Sequence, residues 1–350
     1  MEFRDPERTI EFEFVRATEN AALNAMHWIG RGDKEAADQA ACDAIYGVFD
    51  LVDMRGEVVI GEGIKDNAPG IFLGDKLGTW KEGAPRFDIA LDPVDGTTNI
   101  SKGMANSISV ISAAETPGGE AIMRNIPAFY THKVSYGPAV MRAVQMAGLD
   151  HTLIDHPVAD VLELSSKALG KRIAELVVLI LDRPRNKVFI DAVRDSGSSL
   201  RMVSDGDITA AIAPALPDSG IDLYLGIGGT PEGILTATAM RALGGDIQLR
   251  MWFKDDAAQK EELGDDAAAL RDVKRVFNAE ELSPGDSAIF CATGITDSAL
   301  LPGVKLIGKT AITHSILMRA RSRTVRYIRA VHNLEHKTIH LRSDRADHKI

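Results

Sequence analysis

The sequence predicts an α/β (α+β) fold in two subdomains, and three observations carry that expectation. Residues 177–181, Val-Val-Leu-Ile-Leu, form an unbroken apolar run, as expected of a strand buried on both faces in a parallel sheet. Beyond it, short apolar segments alternate with loops and helical patterns, which is strand–loop–helix order. Before it, Phe14, Ala17, Ala21, Ala25 and Ile29 recur at helical spacing. A chain of 350 residues can hold roughly two domains and a large core. The cleanest division falls between Leu169 and Leu176, giving expected subdomains 1–172 and 173–335 and a loose polar tail, 336–350.

Composition narrows the function classes. Hydrophobic residues make up 45% and charged residues 26%, which fits a soluble globular protein rather than a disordered one. No apolar run reaches the ~18 residues of a membrane span, and the N-terminus lacks a signal-peptide core. Cys42 and Cys291 are the only cysteines, so neither a disulfide framework nor a zinc–thiolate site is expected, and a cytoplasmic location is the default. The net charge of −10 argues against nonspecific nucleic-acid binding. An acidic protein that handles phosphates needs local cations, from metals or well-placed Arg and Lys.

In chain order, a helix covers 11–29 and stops at Gly30-Arg31-Gly32. Asp33 then caps a second helix with Ala37, Ala41, Ile45 and Val48 on one face, and Asp38 beside that stripe. Residues 57–60 are a short strand, followed by Glu62 between two glycines. A strand over 89–91 delivers Asp92, and Pro93 ends it because proline lacks the N–H a central ladder needs. Residues 107–114 form another strand, and Gly118-Gly119 reads as a hairpin turn. Further strands are expected at 177–181, 200–203, 221–225 and 288–292, and hairpin strands over 311–331. Helices are expected at 208–215, from 230 to Leu243, and over the charged stretch 254–274. His336, His340 and His348 read as part of the tail rather than a metal tract.

The segment Asp92-Pro93-Val94-Asp95-Gly96-Thr97-Thr98 carries the chemistry. Two carboxylates on one turn repel each other unless a proton or a metal intervenes. Gly96 permits the turn, and Thr97 and Thr98 offer hydroxyls and backbone N–H groups. Open α/β sheets bind ligands beyond the C-terminal ends of their strands. The unusual residues gather at those ends: Glu62, Asp92 and Asp95, Arg183 and Arg185 around Pro184, Asp205 and Asp207 around Gly206, and Gly228 to Glu232. Two guanidinium groups suit a clamp on a phosphate, and Tyr130 could add a hydroxyl donor. In 228–232, Thr230 is expected to cap a helix with Pro231 in its first turn. A dinucleotide fingerprint there fails, because Pro231 stands where G-x-G-x-x-G needs a residue that lets helix and strand approach closely.

Several carboxylates without a His or Cys cluster point to hard divalent cations, Mg²⁺ or Mn²⁺. Two such ions can lower the pKa of a bound water and neutralise a leaving alkoxide. That suits direct hydrolysis of a phosphate monoester, and no G-x-S-x-G or Cys-x5-Arg nucleophile motif is present.

Asp92-Pro-Val-Asp-Gly-Thr97 resembles the metal-binding signature of the lithium-sensitive sugar and inositol phosphatases. Together with Gly30-Arg-Gly-Asp-Lys34, Ile60-Gly-Glu-Gly63, Arg183-Pro-Arg185, Asp205-Gly-Asp207, Gly226-Ile-Gly-Gly-Thr-Pro-Glu-Gly233, Ala292-Thr-Gly-Ile-Thr296 and Ser322-Arg-Thr-Val-Arg326, it is similar to class II fructose-1,6-bisphosphatases of the bacterial type. The resemblance runs from about Thr9 to His332. It implies a layered sugar-phosphatase fold with alternating helix and sheet layers. It implies hydrolysis of fructose 1,6-bisphosphate to fructose 6-phosphate with Mn²⁺ or Mg²⁺, two or more ions per site, in a homodimer or homotetramer. By position it implies that Asp38 and Glu62 hold one metal, and that Asp92, Asp95 and Glu232 hold another. Gly96 and Thr97, with Asp95, would contact the reacting phosphate, and Lys34 and Asp66 would assist catalysis. Tyr130, Arg183, Pro184, Arg185, Asp205, Gly206, Asp207 and Gly229 would hold the sugar and its second phosphate. Two positions depart from the family pattern: Asp95 stands where Glu is usual, one methylene shorter, and Arg183 where Lys is usual.

Other readings are a phosphatase that also takes sedoheptulose 1,7-bisphosphate, an inositol phosphatase, a nucleotide-dependent oxidoreductase built on 226–233, and a noncatalytic metal-binding protein. Phosphate release from a panel of sugar phosphates, with and without metal, separates the first two from the rest.

Overall fold

Helical periodicity at the N-terminus becomes α1, Pro6–Ala25, which buries Phe14, Ala17 and Ala21 and runs into a short 3₁₀ turn at Met26–Trp28. The computed structural model describes residues 6–61 and 70–342. Gly30 and Gly32 both take positive φ, and Asp33 opens α2, Lys34–Phe49, by accepting from the Ala36 N–H at 2.9 Å. That cap is the one expected. Strands β1 (Arg55–Ile60), β2 (Lys76–Leu77) and β3 (Arg86–Asp95) follow, then a one-and-a-half-turn helix α3 (Thr97–Lys102) and β4 (Ile108–Glu115).

The chain then builds β5 (Tyr130–Tyr136), α4 (Pro138–Met146), α5 (Val158–Leu169), β6 (Val177–Leu181), α6 (Lys187–Asp195) and β7 (Ser199–Val203). Next come α7 (Asp207–Ile212), β8 (Leu223–Gly229), α8 (Thr230–Leu243), β9 (Asp246–Trp252) and three short helices, α9 (Asp256–Leu263), α10 (Ala267–Asp272) and α11 (Ala279–Leu282). It closes with β10 (Ile289–Gly294), β11 (Lys305–Ile307), β12 (Thr310–Arg319) and β13 (Thr324–Asn333).

Two sheets result. Among the described residues, the first runs β11-β12-β10-β4-β3-β1-β2, and β13 also pairs with β12, along its whole length. Helices α1 and α2 cover it through a core of Phe14, Ile45, Phe49, Phe87, Ile89, Ile111 and Cys291. Phe14 meets Phe49 and Phe87 edge-on, with ring centroids 5.6 and 6.4 Å apart. Such pairs add about 1 kcal/mol each beyond the area they bury. The second sheet runs β7-β6-β8-β5-β9; β6 is parallel to β7 and β8, and β5 is antiparallel to β8 and β9. The buried parallel strand expected at 177–181 is therefore present as β6. Its Val178 and Ile180 join Val134, Tyr136, Leu223 and Leu225 in a separate core. This is the α/β architecture the sequence predicts.

The division between the two parts lies elsewhere than expected. One compact unit comprises Met1–Met123 and Gly285–Ile350, the other Arg124–Pro284. The cause is strand pairing: β5 pairs along its whole length with β8 and β9, while β10 returns to pair with β4. The expected break between 172 and 173 followed the first long apolar strand, and a strand's partners are not visible in its own residues.

Four local expectations also change. Pro93 does not end a strand; it lies within β3, where the β3–β4 register shifts between Asp92 and Asp95, a bulge that tolerates proline. Gly118-Gly119 turns the chain, with the Gly119 N–H bonded to Thr116 O at 2.9 Å, but joins no hairpin, because β4 and β5 belong to different sheets. The charged stretch 254–274 is two short helices rather than one. The tail is docked as far as Arg342: Ile339 is buried beside Leu23, Met26, Ala44 and Ala311, and Arg342 pairs with Asp50 and lies over the Tyr46 ring. Gly47 makes room for it, since a Cβ there would collide with His340 O. His348 lies outside the described residues. No helix among the described residues is long and apolar enough to cross a membrane.

Candidate active site

In the first unit, β3 carries Asp92 half-buried and Asp95 almost fully buried at its end. The β3–β4 register shifts between them. Asp92 Oδ1 also accepts from the Val94 N–H at 3.1 Å, which fixes the turn locally. Gly96 follows with φ +92°, as the residue preceding α3. A Cβ there would stand 2.5 Å from Asn106 O, so both backbone conformation and space exclude a side chain. Its carbonyl accepts from Asn99 N, Ile100 N and Ser107 Oγ. Thr97 and Thr98 occupy the first turn of α3.

Lys34 and Asp38 are brought to the same end of the unit. Gly30 N donates to Ile100 O at 2.8 Å and Gly32 N to Ser101 O at 2.9 Å, which holds the residues before α2 against α3. Lys34 is exposed at the first turn of α2, and Asp38 is buried one turn further on. Glu62 and Asp66 lie outside the described residues. The described chain that follows them pairs with β1: Gly74 N donates to Val58 O, and Val58 N to Asp75 O, at 2.7 and 2.9 Å. Asp75 Oδ2 takes hydrogen bonds from Tyr46 OH at 2.6 Å and Phe72 N at 2.8 Å, tying the returning strand to α2.

In the second unit, Tyr130, Arg183, Pro184, Arg185, Asp205, Gly206, Asp207, Gly229 and Glu232 gather at the ends of β5, β6, β7 and β8. The Arg185 guanidinium lies 4.4 Å from the Tyr130 ring centroid, and its Nε donates to Ile227 O at 3.1 Å. Tyr130 is in turn edge-on to Trp252. Arg183 is held more loosely, 3.3 Å from Asp205 Oδ1. Gly206, in a left-handed conformation, opens α7, and Asp207 is buried in its first turn. Thr230 does not cap α8: Gly229 precedes the helix, Thr230 is inside it, and its buried hydroxyl has no hydrogen-bond partner among the described residues. Gly226, Gly228 and Gly229 all belong to β8 and pair with β5, so they form no dinucleotide-binding turn.

Three residues here escape sequence reasoning. Lys133 is fully buried on β5 and donates to Asp207 Oδ2 at 2.6 Å and to Gly229 O at 2.5 Å. Tyr224, also fully buried, donates to the other Asp207 oxygen. Asn186 closes the loop after β6, donating to Leu181 O and Ile227 O and accepting from Ile227 N. A lysine between aromatic ends in an otherwise ordinary strand was the one available signal for Lys133.

Electrostatics follow the crowding. Burial pushes the Glu232 carboxyl above the usual range; Lys133 opposes that shift, and Asp207 and Asp205 reinforce it. Burial and the Asp207 carboxylate likewise hold the Tyr224 phenol well above its ordinary value. Glu232 Oε2 is buried with no hydrogen-bond partner among the described residues, an orphaned acceptor of the kind a cation satisfies. Among those residues, no three His, Cys, Asp or Glu side chains stand close enough together to hold one ion. The candidate donors are all carboxylate oxygens, whose chemistry fits a hard divalent cation.

Residues 8–332 match the model of a family described as bacterial fructose-1,6-bisphosphatase, glpX-encoded. A class 2 fructose-1,6-bisphosphatase of Haemophilus influenzae is 37% identical over 337 residues, covering 94% of this chain and 97% of its own. Fructose-1,6-bisphosphatase 1 class 2 of Escherichia coli strain K12 is 36% identical over 339 residues, with the same coverage. The match spans every candidate residue from Lys34 to Glu232.

Proposed function

The chain belongs to the glpX-encoded bacterial fructose-1,6-bisphosphatase family, and from that premise we propose how it hydrolyses fructose 1,6-bisphosphate to fructose 6-phosphate and phosphate. It is a metal-dependent phosphoric monoester hydrolase of the gluconeogenic direction. The observation that carries the reading is the family match over nearly the whole chain, which includes both carboxylate-bearing strand ends. By the family resemblance Asp38 and Glu62 are assigned to one Mn²⁺ or Mg²⁺ ion, and Asp92, Asp95 and Glu232 to another; the last three are not gathered around one point among the described residues, so this second set depends on the ion to draw it together. The oxygen-only donor set and the orphaned Glu232 oxygen support this assignment. When bound, such ions supply charge neutralisation and a water of lowered pKa.

The chain's own residues position the substrate. Thr97 and the Gly96 backbone orient the phosphate that leaves, with Asp95 beside them. Lys34 and Asp66 assist proton movement and charge balance during attack by water. Arg185, braced by the Tyr130 ring and the Ile227 carbonyl, holds the second phosphate, with Arg183 and the turn at Pro184 adding charge and shape. Asp205, Gly206, Asp207 and Gly229 receive the sugar. Asp95 is one methylene shorter than the usual Glu, which shortens its reach. A homodimer or homotetramer and a cytoplasmic location complete the reading; the two buried, unbridged cysteines agree with a reducing compartment.

The test is phosphate release by the purified full-length chain with Mn²⁺ or Mg²⁺. Release from fructose 1,6-bisphosphate that a chelator removes and metal restores is the expected result. Equal release from inositol monophosphate, with none from the bisphosphate, would overturn the substrate assignment.

A further inference from the structure

The glycine-rich segment 226–233 forms no nucleotide turn and caps α8 only through the backbone of Gly229, yet its glycines leave room for a buried lysine and the carboxylates near it. A Cβ at Gly228 would collide with Asp207 Oδ2, and one at Gly229 with the Glu232 carboxylate. At Gly233, a Cβ would stand 3.3 Å from Lys133 Cε and 2.8 Å from Leu249 Cδ1. The space these three missing side chains leave is filled by Asp207 at Gly228, Glu232 at Gly229, and Leu249 with Lys133 at Gly233. The Lys133 ammonium is fully enclosed and bonds at once to Asp207 Oδ2, 2.6 Å away, and to Gly229 O, 2.5 Å away. Asp207 has no rotational freedom left, since Tyr224 holds its second oxygen. An enclosed ammonium must keep such partners, because stripping it of water is costly.

These contacts join two segments that a substrate has to meet together. Asp207 is the first residue of α7, directly after the turn 205–206, and Gly229 is the last residue of β8, three before Glu232 on α8. We propose that Lys133 is a positioning residue: by bonding Asp207 and the Gly229 carbonyl simultaneously, it fixes the spacing between the sugar-facing turn 205–207 and the start of α8. This rests on the reading of those residues as sugar-binding given above. Lys133 itself does not touch substrate. It acts through the carboxylate it locks, and Tyr224 acts from the other side of the same carboxylate.

The experiment compares wild type, Lys133→Met and Tyr224→Phe as full-length proteins, with fructose 1,6-bisphosphate and Mn²⁺, by steady-state kinetics and thermal unfolding. Methionine matches the length of lysine without its charge, and phenylalanine removes only the hydroxyl. Loss of a charged hydrogen bond at a positioning site should raise KM about tenfold in Lys133→Met, with kcat within about threefold of wild type. Tyr224→Phe should raise KM about threefold on the same reasoning. A residue that only fills the core would lower Tm and kcat, as fewer molecules fold, and leave KM unchanged; that outcome overturns the proposal. Should Lys133→Met fail to fold, Tyr224→Phe decides alone: an unchanged KM refutes the positioning role. Wild type without phosphate release would defeat the functional reading first, and this inference with it. An active wild type with unmoved KM values in both variants defeats this inference alone.

Discussion

The β3–α3 and β8–α8 junctions both carry carboxylates, and they are built in opposite ways. At the β3–α3 junction, Asp92, Asp95, Gly96 and Thr97 lie within six residues, and the chain shapes itself: a bulge, an Asx contact to Val94 and a left-handed glycine. At the β8–α8 junction, Gly229 has ordinary extended geometry, φ −64° and ψ 143°, and its neighbours are arranged by residues from elsewhere in the sequence. Lys133 comes from β5, Asp207 from α7 and Asn186 from the loop after β6. A glycine is required at both, for different reasons: Gly96 for backbone conformation and a close carbonyl, Gly229 only to clear space for Glu232.

The largest expected effect breaks the comparison at its first member. Asp92→Ala should lower kcat by about 10³-fold or more while the protein stays folded, because charge stabilisation carries phosphoryl chemistry. Folded enzyme with wild-type kcat would remove Asp92 from the mechanism.

A pair of glycine variants sharpens it. Gly96→Ala should destabilise the fold by about 2–3 kcal/mol, through a strained φ and the clash with Asn106 O. Gly229→Ala should change stability by less than about 1 kcal/mol, yet displace Glu232 and cost about 10²-fold in activity. Equal melting temperatures in the two variants would erase the distinction.

A smaller effect concerns the arginines. Arg185 is braced by Tyr130 and Ile227 O, whereas Arg183 has a looser partner in Asp205. Arg185→Ala should raise KM about tenfold with kcat little changed, since it removes binding common to ground and transition states. Arg183→Ala should do so by less. The reverse order would mean that bracing does not set which guanidinium holds the phosphate.

The smallest effect is on stability and lies away from both junctions. Burial raises the Asp246 carboxyl to about 6, above its ordinary 3.8. The folded state therefore holds its proton more tightly than the unfolded state. The resulting stabilisation is present below pH ~4 and is lost as pH rises through ~6. Asp246→Asn, which keeps the acceptor for Ala279 N and Ile247 N, should remove that loss and raise Tm at pH 8 relative to wild type. An unchanged Tm difference between pH 4 and pH 8 would contradict it.

The contrast also explains what the residues reveal on inspection. The β3–α3 junction was readable because its carboxylates, glycine and hydroxyls are contiguous, and the buried strand β6 because an unbroken apolar run has few other uses. Asp33 announced α2 through capping chemistry alone. The β8–α8 junction invited the wrong local account, with Thr230 as cap, since Thr-Pro-Glu suits a helix start whatever surrounds it. Its true organiser, Lys133, lies about a hundred residues earlier and is defined only by burial. The subdomain boundary was missed for the same physical reason: β5 and β10 reveal their sheets only through pairing across long sequence separations. Ile339 and Arg342 look like a polar tail until the groove beside Gly47 is seen to receive them.

The central claim is metal-dependent removal of one phosphate from fructose 1,6-bisphosphate through the Asp92 junction. Phosphate release should be measured for wild type and Asp92→Ala, with Mn²⁺ and with a chelator. Fructose 6-phosphate and one equivalent of phosphate are expected from wild type with metal, with a rate about 10³-fold or more lower from Asp92→Ala with metal, and none from either protein with the chelator. Release that survives both the chelator and the substitution would contradict it.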